Sequence, residues 1–241
     1  MTGPLAATGG PLAHPSPSGL SPVLHAWVDG WARSRRTDAP REAAGGFRIE
    51  VGLPNHLARY VLPAADPAAL RDLVGSLTTP GLWIKVCAPR EAVESLLTPA
   101  WQISEPQYLM TAPLAPLSTA ARPPGYRLDV TYRDGVYEAR LLAAEGTADT
   151  AAPAASGRAA LTAAVPGLAP YAPSVVFDMI GTDPAHRRRG LGRFLMASLA
   201  GRAAERGARQ GVLVASPDGR ALYEATGWRL RSPVTAAVLT G

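Results

Sequence analysis

The sequence predicts an α/β (α+β) fold, a sheet flanked by helices and built as two related halves. Three observations carry that expectation. The first is the stretch from Val175 to Ala200, where an apolar β-branched run passes through an Arg- and Gly-rich turn into an amphipathic pattern. The second is the alternation of strand-like and helix-like segments on both sides of the Pro- and Ala-rich stretch 112–124. The third is a diverged internal repeat, in which Ile84-Lys85-Val86-Cys87-Ala88-Pro89 lies over Val212-Leu213-Val214-Ala215-Ser216-Pro217, with Trp101 and Trp228 following at intervals that differ by one residue.

In chain order, Met1 to Gly19 is rich in Gly, Pro, Ala and Ser without a period and is expected as a disordered tail. Ser21-Pro22 then offers an N-cap and a proline at the first helical position, followed by Leu24, Trp27, Val28 and Trp31 on one stripe. Arg33, Arg35 and Arg36 suit the end of that helix, where the dipole favours cations. Thr37 to Gly46 reads as a polar linker.

The first half continues with strands at Phe47–Val51 and Arg59–Leu62, a helix over Pro67–Leu77 capped by Asp66, and a strand at Leu82–Cys87. A helix over Arg90–Leu97 and strands at Trp101–Ile103 and Tyr108–Thr111 complete it. Domain boundaries are expected at 20–111 and 125–241, with 112–124 as the connection.

In the second half, Tyr126–Tyr132, Val136–Ala143 and Ser156–Ala163 alternate as antiparallel strands, the first two joined by Arg133-Asp134-Gly135. Thr147 to Ala155 is of low complexity and reads as a loop. The central strand is Val175–Ile180, and Pro184 closes the run because it has no N–H to donate. Leu191, Phe194, Leu195, Ser198 and Leu199 then recur at helical spacing within a helix over Leu191–Arg206. A strand at Val212–Ala215, a helix over Gly219–Ala225 and strands at Trp228 and Val234–Leu239 follow.

Composition bounds the function. The formal net charge of +5 comes almost wholly from arginine, since Lys85 is the only lysine. The densest basic cluster, Arg187 to Arg189, sits beside Gly190 and Gly192 at a helix start, where unpaired N–H groups and the dipole favour an anion. A diphosphate is its natural occupant, so no nucleic-acid partner is expected. The spacing is neither a Walker loop nor a dinucleotide fingerprint. Cys87 is the only cysteine, which excludes an intrachain disulfide and fits a reducing compartment. With no secretory leader pattern and no long apolar run, a cytoplasmic protein without a membrane partner is expected. His14, His25, His56, His186 and Cys87 show no metal-ligand spacing, so no metal is expected.

Arg187-x-x-Gly190-x-Gly192 after a strand ending near Asp183-Pro184 resembles the acyl-CoA-binding motif of the GNAT superfamily of N-acetyltransferases. Leu222-Tyr223-Glu224-Ala225-Thr226-Gly227-Trp228 is similar to the family's second signature, in the expected order. The resemblance covers Tyr126 to Gly241 well and the first half faintly. It implies a central mixed, mostly antiparallel sheet flanked by helices, with a second, degenerate GNAT-like half. It also implies acetyl-CoA as acyl donor, with Arg187, Arg188, Arg189, Gly190, Leu191 and Gly192 on its diphosphate. The backbone of Ile180 and Thr182 would hold its pantetheine, with Gly181 allowing a local irregularity there.

Tyr223 would donate to the departing sulfur. Ser216 stands where the family commonly has Asn, so it is expected to cap the following helix, with a side-chain contact to the cofactor in question. Asp178 shares strand parity with Ile180 and could take the amine proton through a water, although an ion pair is an equal reading. In the family two helices between the first strands cover the acceptor; here a short turn replaces them. The first half, with the Trp27/Trp31 helix, is therefore expected to wall the acceptor pocket. The function so implied is acetylation of a primary amine on a small molecule. A protein N-terminus as acceptor, or a non-catalytic acyl-CoA sensor, are the alternatives, and a homodimer stays open.

Overall fold

The chain alternates short β-prone runs with amphipathic helices, and each run finds its place in one sheet. In a computed structural model, the described residues are 17–114, 121–143, 152–162 and 173–240. Their elements run α1 (Pro17–Arg35), β1 (Arg41–Ala43), β2 (Gly46–Leu53), β3 (His56–Leu62), α2 (Pro67–Ser76), β4 (Leu82–Val86), α3 (Arg90–Glu94), β5 (Trp101–Ile103) and β6 (Gln107–Pro113). The second half follows with β7 (Tyr126–Arg133), β8 (Val136–Ala143), β9 (Ala155–Thr162), β10 (Ser174–Thr182), a 3-10 turn (Pro184–His186), α4 (Leu191–Glu205), β11 (Gln210–Ala215), α5 (Pro217–Glu224) and β12 (Arg229–Leu239).

The strands form one 12-stranded sheet in the order β1-β2-β3-β4-β12-β6-β11-β10-β9-β8-β7, with β5 beside β12. Strand parity divides its side chains between two layers. On one face, among the described residues, α1 alone lays Leu24, Trp27, Val28 and Trp31 over Ile49, Val61, Leu109, Val176 and Val212. On the other, α2 and α3 cover Tyr60, Ile84 and Val86 with Leu70, Leu73, Val74 and Val93. Beside them α4 covers Val175, Phe177 and Leu213 with Leu191, Leu195 and Leu199.

The two halves exchange their last strands. β6, from the first half, lies between β11 and the Arg229–Val234 part of β12. The Thr235–Val238 part of β12 in turn pairs with β4, while its end pairs with β5. The exchange is reciprocal, each half contributing one strand to the other's share of the sheet.

Several details differ from the sequence reading. The helix begins at Pro17, so Pro17–Gly19 belong to α1 and Pro22 lies inside it rather than opening it. The remainder of the expected tail lies outside the described residues. The polar linker contains β1, because Ala44 and Gly45 take left-handed conformations and fold Arg41–Ala43 back on β2. Ala112 and Pro113 extend β6 into the expected connector, paired with Gly211 and Gln210. Most of the Thr147–Ala155 loop lies outside the described residues. The β7–β8 turn matches expectation: Asp134 and Gly135 both have positive φ, the geometry a tight two-residue hairpin needs. Among the described residues, no helix is long and apolar enough to cross a membrane.

α1 can lie this close to the sheet because residue 30 has no side chain. A Cβ on Gly30 would fall 2.3 Å from Val176 Cγ2 and 2.5 Å from Val176 Cβ, in the middle of a central strand. Gly30→Ala is therefore expected to destabilise the protein by about 1–3 kcal/mol through overpacking, despite alanine's higher helix propensity. Chemical denaturation of the variant checks this.

Candidate active site

The site is made by a failure of pairing. β10 and β11 run parallel and share hydrogen bonds only from Ser174 to Val176 against Gln210 to Val212. Beyond that they splay, and the polar backbone of Phe177–Thr182 faces a slot. The irregularity that helps to open it is a bulge, in which Met179 and Ile180 of β10 oppose Gly157 of β9. Met179 carries it with φ 55°, a conformation costly for a side-chain residue. The position expected to supply this freedom, Gly181, is not among the positive-φ glycines. Gly157 makes room from the opposite strand, since a Cβ there would meet Ile180 Cδ1.

At the far end of β10 the 3-10 turn is capped by Asp183, whose carboxylate accepts from Ala185 N–H at 2.9 Å. Gly190 then starts α4 with φ 76° and no side-chain cap. The first bond of α4 runs from Phe194 N–H to Gly190 C=O, so the N–H groups of Leu191, Gly192 and Arg193 precede the ladder. Arg187 and Arg188 are exposed beside them. Arg189 is anchored instead, donating to Tyr126 Oη at 3.0 Å and to Ala185 C=O at 3.4 Å. His186 Nδ1 also meets Tyr126 Oη, at 2.9 Å, which makes it part of the turn's scaffold.

Tyr223 stands where two cavities meet. One, of about 320 Å³, lies between α4 and α5 and is lined by Gly192, Met196, Leu222 and Tyr223 among others. The other, of about 400 Å³, runs through the slot and is lined by Ile180, Ser216 and Tyr223, and beneath α1 by Trp31, Arg35, Arg59, Lys85 and Asp178. Burial pushes the Tyr223 phenol up to about 12, so it stays protonated across the neutral range. Ser216 caps α5, its Oγ accepting from Gly219 N–H at 3.2 Å.

Residues 157–228, from β9 to just beyond α5, match the family described as Acetyltransferase (GNAT) family. This segment is a GNAT acetyltransferase domain. Solved structures of similar fold span nearly the whole chain. A GCN5-related N-acetyltransferase from Kribbella flavida has a TM-score of 0.59 at 18% identity, over 91% of this chain and 95% of that one. A GNAT-family protein from Novosphingobium aromaticivorans has a TM-score of 0.56 at 17% identity, over 92% and 98%. A GCN5-related N-acetyltransferase from Sphaerobacter thermophilus has a TM-score of 0.51 at 8% identity, over 95% of each chain. Identities this low show the fold. No curated protein matches the chain significantly.

The GNAT domain thus contributes β10, β11 and Tyr223, but the cavity under α1 is finished by residues outside it. Asp178 is fully engaged there. Its Oδ2 accepts from Arg35 Nε at 2.6 Å and Ser34 Oγ at 2.9 Å, and its Oδ1 from Arg35 Nη2 at 3.1 Å. Of the two readings of this residue, the ion pair is the one the geometry contains. Sequence reasoning did not single out Arg35, Arg59 or Lys85 as site residues. The only signal for Lys85 was a lysine in an otherwise apolar strand core, Leu82–Val86.

Arg59 and Lys85 are each only 7% exposed. Arg59 lies over the Trp31 ring, 3.7 Å from its centroid, and donates to His56 Nε2 at 3.2 Å. Burial, then the nearby Arg59, Lys85 and Arg35, lower His56 to about 4, which keeps it a neutral acceptor. Lys85 Nζ donates to Gln107 Oε1 at 2.6 Å. Burial lowers Lys85 to about 7, helped by Arg59 and Arg35 and opposed by Asp178 and Cys87. A lysine whose folded pKa lies below its unfolded value binds fewer protons folded than unfolded between those two values, so stability rises with pH there. Relative to Lys85→Met, the native protein should therefore gain stability from about pH 7 towards about pH 10. Denaturant titrations of both proteins across that range measure the difference, and parallel curves would contradict it.

Proposed function

We propose that the protein transfers an acetyl group from acetyl-CoA to the primary amine of a small molecule, both being bound at once. The observation that carries this reading is the slot between β10 and β11, which joins the cavity beside α4 to the one beneath α1 and places Tyr223 at their junction. Residues 20–111 are read as a degenerate copy of the unit in residues 125–241, on the strength of the reciprocal strand exchange. In this reading the first copy keeps the sheet and lends the acceptor wall.

The residues present fit an acyl-CoA. The uncapped start of α4, the left-handed Gly190 and the exposed side chains of Arg187, whose Nε reaches Thr182 C=O at 3.5 Å, and Arg188 suit a diphosphate, with Leu191 and Gly192 offering N–H groups. The edge of β10 turned away from β9 at Ile180 to Thr182, beyond the end of the β10–β11 ladder, suits a pantetheine amide chain. Bound there, acetyl-CoA would supply a thioester carbonyl open to attack from the α1 side. Tyr223, held protonated, donates its O–H toward the departing sulfur. Asp178 fixes Arg35 in the acceptor wall, and the amine's proton leaves through water in the open slot. Ser216 shapes the start of α5.

Tyr223→Phe keeps the ring against Trp228 and removes the donor. Turnover is expected to fall roughly 100-fold with acetyl-CoA affinity little changed, as measured by thiol release and calorimetry. Unchanged turnover would remove Tyr223 from the chemistry.

Gly190→Val tests the other end of the slot. A β-branched residue is strained at φ 76°, so the turn must rearrange. Acetyl-CoA should then no longer raise the melting temperature, whereas Arg36→Ala, far from the turn, should bind normally. Retained binding in the valine variant would overturn the assigned cradle.

A further inference from the structure

A buried cation without a counter-charge costs far more than one paired with a carboxylate, and an anionic ligand relieves that cost. The cavity beneath α1 contains two such cations. Among the described residues neither Arg59 nor Lys85 forms an ion pair, and their hydrogen-bond partners, His56 and Gln107, are neutral. Asp178, the carboxylate inside the cavity, is occupied by Arg35 and Ser34. Glu105 is exposed at the mouth.

Donor counting points the same way. Arg59 turns Nε and Nη2 toward one acceptor, His56 Nε2, and its Nη1 has no partner among the described residues. Lys85 directs one of its three N–H bonds to Gln107. Arg59 is also held in place by the Trp31 ring. Both groups line the open cavity, so unused donors on two pre-positioned cations converge on space that a ligand can enter. The phosphates of an acyl-CoA have their own arginines at the start of α4, on the opposite face of the sheet.

We infer that Arg59 and Lys85 form an oxyanion-binding subsite, and that the acceptor is an amine that also carries a carboxylate or a phosphate. The amine part rests on the acetyl-transfer reading; the subsite does not. Burial and then Arg35 lower Arg59 to about 9, and burial with Arg59 and Arg35 lowers Lys85 to about 7, Asp178 opposing both; a bound oxyanion would raise both further.

The test uses the full chain and a series of ω-amino acids and aminoalkyl phosphates, each beside a carboxamide or alcohol of the same length. One readout is thiol release from acetyl-CoA; the other is the melting temperature of the protein with each compound and no acetyl-CoA. At least one anionic member should exceed its neutral counterpart by roughly ten- to a hundred-fold in kcat/KM, with the difference in KM. Arg59→Met and Lys85→Met should each erase that preference while leaving acetyl-CoA binding intact. A preference confined to carboxylates or to phosphates identifies the source of the oxyanion.

Equal use of neutral and anionic members, a preference that survives in both methionine variants, or no response to any anionic member in either readout overturns the subsite. Acetylation of neutral amines without preference would leave acetyl transfer standing while the subsite falls. Anionic compounds that raise the melting temperature of the native protein but not of the variants, with no thiol released, would do the reverse.

Discussion

Everything at the site depends on where one parallel pair of strands stops bonding. The ladder between β10 and β11 ends at Val176 and Val212, and backbone groups beyond it must find other partners or face solvent. The bulge at Met179 and Ile180 fixes that divergence, because two residues set against Gly157 bend β10 away from its neighbour. From the same strand end follow the direction in which the chain enters the Arg187–Gly192 turn, the placing of the α4 N-terminus and the gap into which Tyr223 projects. Strain at a functional strand is tolerated because Val175, Phe177 and Leu195 lock the segment into the core.

The exchange of terminal strands explains why the two halves act as one. β6 supplies ladder partners to β11 and β12, and β12 returns the service to β4 and β5, so each half holds hydrogen bonds that the other needs. The same continuity carries β3 and β4 to the face over which α1 crosses. The cavity beneath α1 is therefore walled by first-half residues such as Trp31, Arg59 and Lys85 as well as by β10, and Gly30 sets how tightly α1 closes it.

Charge in that cavity is arranged with two different purposes. Arg35 is neutralised by Asp178 in a bidentate pair, which fixes both side chains. Arg59 and Lys85 are left to neutral partners, and a cation kept in that condition is better explained by what it binds than by what it stabilises. The single lysine of the chain stands among arginines at the one place where a compact, variable charge is buried.

Much of this was legible before any coordinates. The strand and helix runs follow period-2 and period-3.6 apolar patterns, Asp66 and Ser216 announce caps, and Arg187-x-x-Gly190-x-Gly192 with the Tyr223 segment carries the family resemblance, because all of these are local chemistry written over a few residues. The irregularity, in contrast, fell at Met179 rather than Gly181, since a bulge is set by the strand opposite. Asp178 was legible as a carboxylate on the right face, but its pairing with Arg35 depends on a helix 143 residues earlier in the chain. Arg59 and Lys85 looked like ordinary strand residues. Their meaning comes from burial and from hydrogen bonding to neutral partners rather than to a carboxylate, and both depend on how α1, β3, β4 and β10 pack together, which no short stretch of sequence encodes.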